Sequence, residues 1–370
     1  MRRVLCFLLL LLLCGVLFCL PASAAMEEEL FSDFFAALPE DVKEQLEGKT
    51  GTNAAGSLVG AEYLISVLLS SLREGLAASG SFFFRLIGIA ILLSVLSHFA
   101  RDLGSEAATR AAEMGIAVVL TFLVYRFAAE DISRVGECLS DMRAFADGLI
   151  PVFFGLYAAG GSTATATAAA AGFTSLSYLL QHFCATLLLP LLQLLFGFTA
   201  IHAAGGRMKT EGVFSSLRGL YVTSLGFLSL LLVTSLGFQS TLAASADSLA
   251  AQSMRFAVGN LIPVVGGSLS GTLRTLGASL TLLKGTVGAL AVTALLLLLL
   301  PTLIGVLLHR FFLSLAASVS GMLGSERAGK ILTAFRGIYD LAAATLALCL
   351  VVFLLILALL VRLGVATAPA

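Results

Sequence analysis

The chain contains no tryptophan and only seven prolines in 370 residues, and charge is scarce. Lys and Arg number 22, Asp and Glu also 22, together 12% of the residues, and the formal net charge is zero. A sparse, balanced charge excludes the basic surface that nucleic acid requires. Without Trp, an aromatic belt at a membrane interface rests on six Tyr. The chain also lacks a P-loop, a dinucleotide fingerprint, an HExxH pair and a nucleophile elbow. His98, His182, His202 and His309 stand alone in sequence. Cys6, Cys14 and Cys19 fall in the N-terminal leader, and Cys138, Cys184 and Cys349 show no metal or redox spacing, as befits small apolar residues among helices. The sequence therefore predicts no catalytic residue, no cofactor and no metal site, and a protein that is not an enzyme.

What the chain has in excess is apolar side chains. They make up 59% of the residues, and mean hydropathy is +1.02. Ordinary globular domains hold about 45–50% apolar and about 25% charged residues, so lipid is the solvent for most of this chain. Residues 1–25 read as a signal peptide: Arg2 and Arg3 precede an apolar run, and Ala22-Ser23-Ala24 fits a cleavage site. An uncleaved anchor is the rival reading. Residues 26–80 form an exported amphipathic helical segment; its last helix, 58–76, either lies on the membrane surface or packs on the bundle. A spanning helix needs about 20 mostly apolar residues. Six stretches qualify: Phe82 to Ala100, Ala112 to Ala128, one within Gly172 to His202, Gly219 to Phe238, Gly285 to Leu308, and Leu341 to Val361. The predicted fold is an all-α polytopic membrane protein of about six transmembrane helices, with amphipathic surface helices.

Two proline landmarks recur at one offset. Pro263 follows Pro151 by 112 positions, each closing a Leu-Ile-Pro block, and Pro301 follows Pro190 by 111. Further on, Arg218 and Tyr221 in LRGLY match Arg336 and Tyr339 in FRGIY. Each pair shares a helix face at i, i+3, which suits an interface anchor. The stripe Ile132, Val135, Leu139, Met142 and Ala146 precedes the first Leu-Ile-Pro block, and a weaker one from Leu242 to Phe256 precedes the second. These matches divide the chain into a first hairpin at 81–129 (a reduced repeat), a repeat unit at 130–238, a second full unit at 239–363 and a tail at 364–370. An even number of spans per unit makes the repeats parallel. On this scheme 149–171 and 260–284 are re-entrant or surface elements. Basic residues concentrate in the connectors at Arg101 and Arg110, at Arg207, Lys209 and Arg218, and at Arg310, Arg327, Lys330 and Arg336, which places them in the cytoplasm. The acidic connector with Glu130, Asp131, Glu137, Asp141 and Asp147 then lies outside. No carboxylate falls clearly mid-span, which disfavours an ion-coupled carrier. Pro190 and Pro301 can kink their spans and free backbone carbonyls.

The blocks FAVGNLIPVVGG (256–267), ASLTLLKGTVGALAV (278–292) and LLLPTL (298–303) resemble the stage III sporulation protein AE family, and LIPVFFGLYAAGG (149–161) resembles its earlier copy. The resemblance covers roughly 80–365 and is densest over 256–301. It implies a non-enzymatic membrane subunit of the channel joining mother cell and forespore, in the outer forespore membrane made by the mother cell. It also implies as partners the other stage III A proteins, including a secretion-type ATPase and ring-forming subunits, and stage II sporulation protein Q across the gap. The family carries no established catalytic residues to transfer. A small-molecule transporter with a path between the two full units is the alternative, and a purely structural assembly platform is a third.

Overall fold

The computed structural model describes residues 61–102, 106–159, 163–203, 212–235, 237 and 266–365. These form α1 (Ala61–Asp102), α2 (Glu106–Ala159), α3 (Thr163–Phe183), a five-residue π-helical segment (Cys184–Leu188), α4 (Leu189–Ala203), α5 (Gly212–Ser235), α6 (Gly266–Met322) and α7 (Glu326–Val365). Among the described residues there is no strand. The leader, most of the exported segment, the 242–256 stripe and Pro263 lie outside the described residues.

The chain is an all-α polytopic membrane protein. Among the described residues, five segments are long and apolar enough to cross a bilayer: Leu68–Leu92, Ala170–Ala203, Gly212–Ser235, Val287–Met322 and Arg327–Ala358. They correspond to the first, third, fourth, fifth and sixth expected spans, the first displaced toward the N-terminus. The expected second span, 112–128, is the early part of α2 and is not among the five.

The helices run longer than the sequence pattern suggests. α2 has 54 residues and α6 has 57, about 80–85 Å each at ~1.5 Å per residue. The 58–76 stretch, expected as a separate helix, runs from Ala61 without a break into the first span. The Ile132–Ala146 stripe is the middle of α2 rather than a helix lying on the membrane, and α2 carries on through Pro151 to Ala159. What was expected as a re-entrant or surface element at 149–171 is the end of α2 and the start of α3. Leu149, Val152, Phe153 and Leu156 bury one face of that end in the core. Continuing a helix keeps every backbone donor and acceptor paired, which at membrane depth matters more than the proline's one missing N–H.

α6 is the central element. From Val287 to Leu300 nearly every side chain is buried, as expected of a helix that is apolar all round. α7 returns along it antiparallel: Arg310 pairs with Asp340, Arg336 donates to Ser314 at 3.2 Å, and a Cβ on Gly329 would stand 3.3 Å from the Ala317 carbonyl oxygen. The tight turn between them is a Schellman-type end. Gly324 takes φ 76, its N–H bonds Gly321 O, and Ser325 N–H bonds Ser320 O; only glycine adopts that backbone without strain. α1 lies on α6 with residue numbers rising together. Gly75 meets Ile304 and Leu308, Phe82 meets His309 and Phe83 meets Phe312. A Cβ on Gly75 would come within 2.8 Å of Leu308 Cδ1, so glycine there permits the close approach.

Candidate functional site

The stripe of α2 positions the site. Ile132, Val135, Cys138, Met142, Phe145, Ala146 and Leu149 are buried, and Asp131 is carried inward with them at 7% exposure. A buried carboxylate needs partners. Tyr339 of α7 donates its hydroxyl to Asp131 Oδ2 at 2.5 Å. Nδ1 of His309, on α6, lies 2.8 Å from the same oxygen, but off the line a good N–H bond would take. Arg134, one turn on and mostly exposed, stands 3.9 Å from Oδ1. Phe82 of α1 meets the His309 ring edge-on at 5.3 Å, and Tyr339 sits 6.0 Å from the same ring. Four helices thus converge on one carboxylate.

The depth of this cluster follows from its neighbours. His309 lies within the Val287–Met322 span and Tyr339 within Arg327–Ala358. One to two turns along α2, Cys138 Sγ approaches the Leu298 carbonyl at 3.9 Å, and Gly136 faces Leu189 in the middle of Ala170–Ala203. The acidic connector expected outside is not a separate connector: it is the middle of the unbroken α2, and its Asp131 packs against α6 and α7 within their candidate spans. A charge at the bilayer centre costs about 2.5–3.5 kcal/mol on insertion scales, and ionisable groups held there pair with one another. Asp131, His309 and Tyr339 do so. Chemically they form a buried phenol–carboxylate hydrogen bond with an imidazole beside it. Among the described residues no group of three or more His, Cys, Asp or Glu could hold a metal ion.

The residues singled out from sequence are scattered. Tyr339 is in the cluster. Tyr221 is fully buried at the α5–α7 contact, with its hydroxyl 2.5 Å from Thr345 Oγ1. Both tyrosines point into the protein, so neither is displayed as an interface anchor. Arg218 is exposed, and Arg336 is half-buried with its Nε unpartnered. Pro151, Pro190 and Pro301 are exposed on three different helices. Only Pro190 coincides with a break in helix type. The π segment ends two residues before it, and Leu189 N–H bonds Cys184 O, five residues back. That wider turn keeps the proline ring clear of the carbonyl four residues before it. Pro301 sits inside unbroken α-helix.

Sequence reasoning missed Asp131 and His309. The signal available was the place of Asp131 beside the buried stripe, within reach of Ile132 and Val135 on one helical face. His309 offered none, since its partner is far away in the chain.

Three comparisons bear on identity. The family model described as stage III sporulation protein AE matches residues 54–364. A curated relative, stage III sporulation protein AE of Bacillus subtilis (strain 168), is 24% identical over 300 residues, which are 80% of this chain and 73% of the relative. No solved structure matches.

Proposed function

The chain belongs to the stage III sporulation protein AE family, and on that premise we propose that it serves sporulation as a non-enzymatic membrane subunit of the channel between mother cell and forespore. The observation that carries this reading is the family match, which runs through all five candidate spans. On this reading the protein resides in the outer forespore membrane, with the connectors near Arg110, Lys209 and Lys330 in the mother-cell cytoplasm. It assembles there with the other stage III A proteins, among them a secretion-type ATPase and ring-forming subunits, and with stage II sporulation protein Q across the gap. The parallel course of α1 and α6 supports spans that enter the bilayer from the same side. Pro151, Pro190 and Pro301, with Pro263, Arg218, Tyr221 and Arg336, serve as structural landmarks of the repeat; the Asp131–His309–Tyr339 cluster clasps the subunit together.

The test is deletion of the gene in its host, followed by counts of heat-resistant spores and crosslinking in sporulating cells. The expected result is a loss of spores by several orders of magnitude after normal engulfment has begun, with the ATPase and ring subunits among the crosslinked neighbours. Normal spore counts would remove the sporulation role. Spore loss without those neighbours would remove the channel and favour a transporter or a separate assembly platform.

A further inference from the structure

The outward face of α2 is as polar as its inward face is apolar. Glu130, Ser133, Arg134, Glu137, Ser140, Asp141, Arg143 and Asp147 are all exposed. They occupy one continuous arc at helical spacing, opposite Ile132, Val135, Met142 and Phe145. Before the arc the exposed residues include Val118, Val119, Phe122, Tyr125 and Arg126, and after it Phe154.

This arc lies at the depth of the spans. Behind its first half, Asp131, Gly136 and Cys138 contact His309, Leu189 and Leu298, each within a segment long and apolar enough to cross a membrane. Elsewhere at this depth, the exposed residues of α5 are those expected against lipid: Phe227, Leu230 and Val233. Lipid against the α2 arc would strip water from six charged side chains. Arg143 and Asp147 stand 3.6 Å apart while remaining more than half exposed, and Arg134 reaches only the buried Asp131.

We infer that the α2 face from Glu130 to Asp147 lines a water-filled path through the bilayer, open to hydrophilic solutes. Its four carboxylates outnumber its two guanidinium groups, so the path favours cations over anions of equal size. The inference rests on the packing of α2 beside the spans. It stands whether or not the chain serves sporulation, and a host that still forms spores without the chain does not touch it.

Cysteine substitution along this face of the full chain, in sealed membranes, tests it. Ser140→Cys and Ala144→Cys leave every charge in place; Leu230→Cys and Val233→Cys on α5 are the lipid-facing controls. The probe is a membrane-impermeant sulfonated methanethiosulfonate, which reacts with a hydrated thiolate. Labelling is read as the excess over the unsubstituted chain, whose Cys138, Cys184 and Cys349 are buried. The expected result is labelling of Ser140→Cys and Ala144→Cys at least about tenfold faster than the α5 controls. Labelling as slow as the controls, or labelling only after detergent is added, overturns the inference. Chain integrity is checked by the continued silence of the buried native cysteines, so that a misfolded variant is recognised and replaced by Ser133→Cys.

Discussion

The α6–α7 hairpin and the hairpin made by α3, α4 and α5 carry the same sequence landmarks, a proline in the first arm and an Arg-Gly-x-Tyr at the head of the second, yet they live in different surroundings. Of the two spans in α6 and α7, 72% and 61% of the most apolar stretch is buried; for the α3–α4 span and α5 the shares are 39% and 22%. The first hairpin is the core about which α1, α2 and the other hairpin are arranged. The second is its periphery. Matching landmarks therefore do not bring matching environments. In the core hairpin the tyrosine meets a carboxylate, in the outer hairpin a hydroxyl. In the outer hairpin the proline follows a π turn; in the core hairpin it sits in regular helix.

The sharpest way to break this comparison is to remove what only the core hairpin holds. Asp131→Ala leaves the Tyr339 hydroxyl buried without its acceptor. Losing a hydrogen bond to a charged group, with the donor left buried, costs about 1.5–3 kcal/mol. The expected outcome is a chain that loses its folded fraction in mild detergent by thermal melt. Asp131→Asn keeps an acceptor oxygen and should recover much of the loss. Equal losses in the two variants would mean that an acceptor oxygen at this position does not hold the cluster.

A smaller effect separates the two hairpins by packing alone. Leu295 in α6 is fully buried, and Leu230 in α5 is 65% exposed. In lipid the unfolded helix is already in an apolar solvent, so truncation loses contacts and opens a cavity but gains no transfer term. Leu295→Ala should then cost about 2 kcal/mol, the lower end of the range for buried leucines, and Leu230→Ala within about 0.5 kcal/mol of nothing. Melting both in the same detergent checks the ratio. Comparable losses would mean that α5 is covered by protein in the assembled state.

These differences mark what could be read from the sequence. Composition and long apolar runs sufficed for the helical membrane class, because lipid imposes a period and a length that side chains must obey. The stripe Ile132, Val135, Met142 and Ala146 was legible for the same reason, and it is buried. The family likeness in 149–161 and 256–303 was legible as well. The depth of that stripe was not. Charges on the far face of α2 lower any hydropathy average, so the segment reads as exterior, while its apolar face packs against spans whose positions in sequence are remote. The clasp at Asp131 was illegible for a related reason: Tyr339 lies 208 positions away, and only the folding of α7 against α2 brings them together. Nor did periodicity reveal that α1, α2 and α6 continue without breaks past their expected ends, since polar residues within a helix look like connectors when their neighbours are unknown.

The finest distinction between the hairpins is the partner of each tyrosine. Both hydroxyls are buried, and both bond across to another helix. Tyr221 is 2.5 Å from Thr345 Oγ1, but Thr345 also donates to Leu341 O within its own helix, 3.1 Å away. Loss of the Tyr221 hydroxyl thus leaves a threonine that is still satisfied. Tyr339 is different, because Asp131 Oδ2 has no other well-aligned donor. A hydrogen bond between neutral side chains in a membrane protein averages about 0.6 kcal/mol, and one to a charged group about 1.5–3 kcal/mol. Tyr221→Phe should accordingly shift stability by about 0.6 kcal/mol and Tyr339→Phe by about 1.5 kcal/mol or more, with no cavity in either case. The double variant Tyr339→Phe with Asp131→Leu decides whether the gap comes from the stranded carboxylate. If removing both partners restores stability relative to Tyr339→Phe alone, the penalty belonged to the unpaired charge; if the losses add, the tyrosine contributes by packing and the two hairpins are closer in kind than their partners suggest.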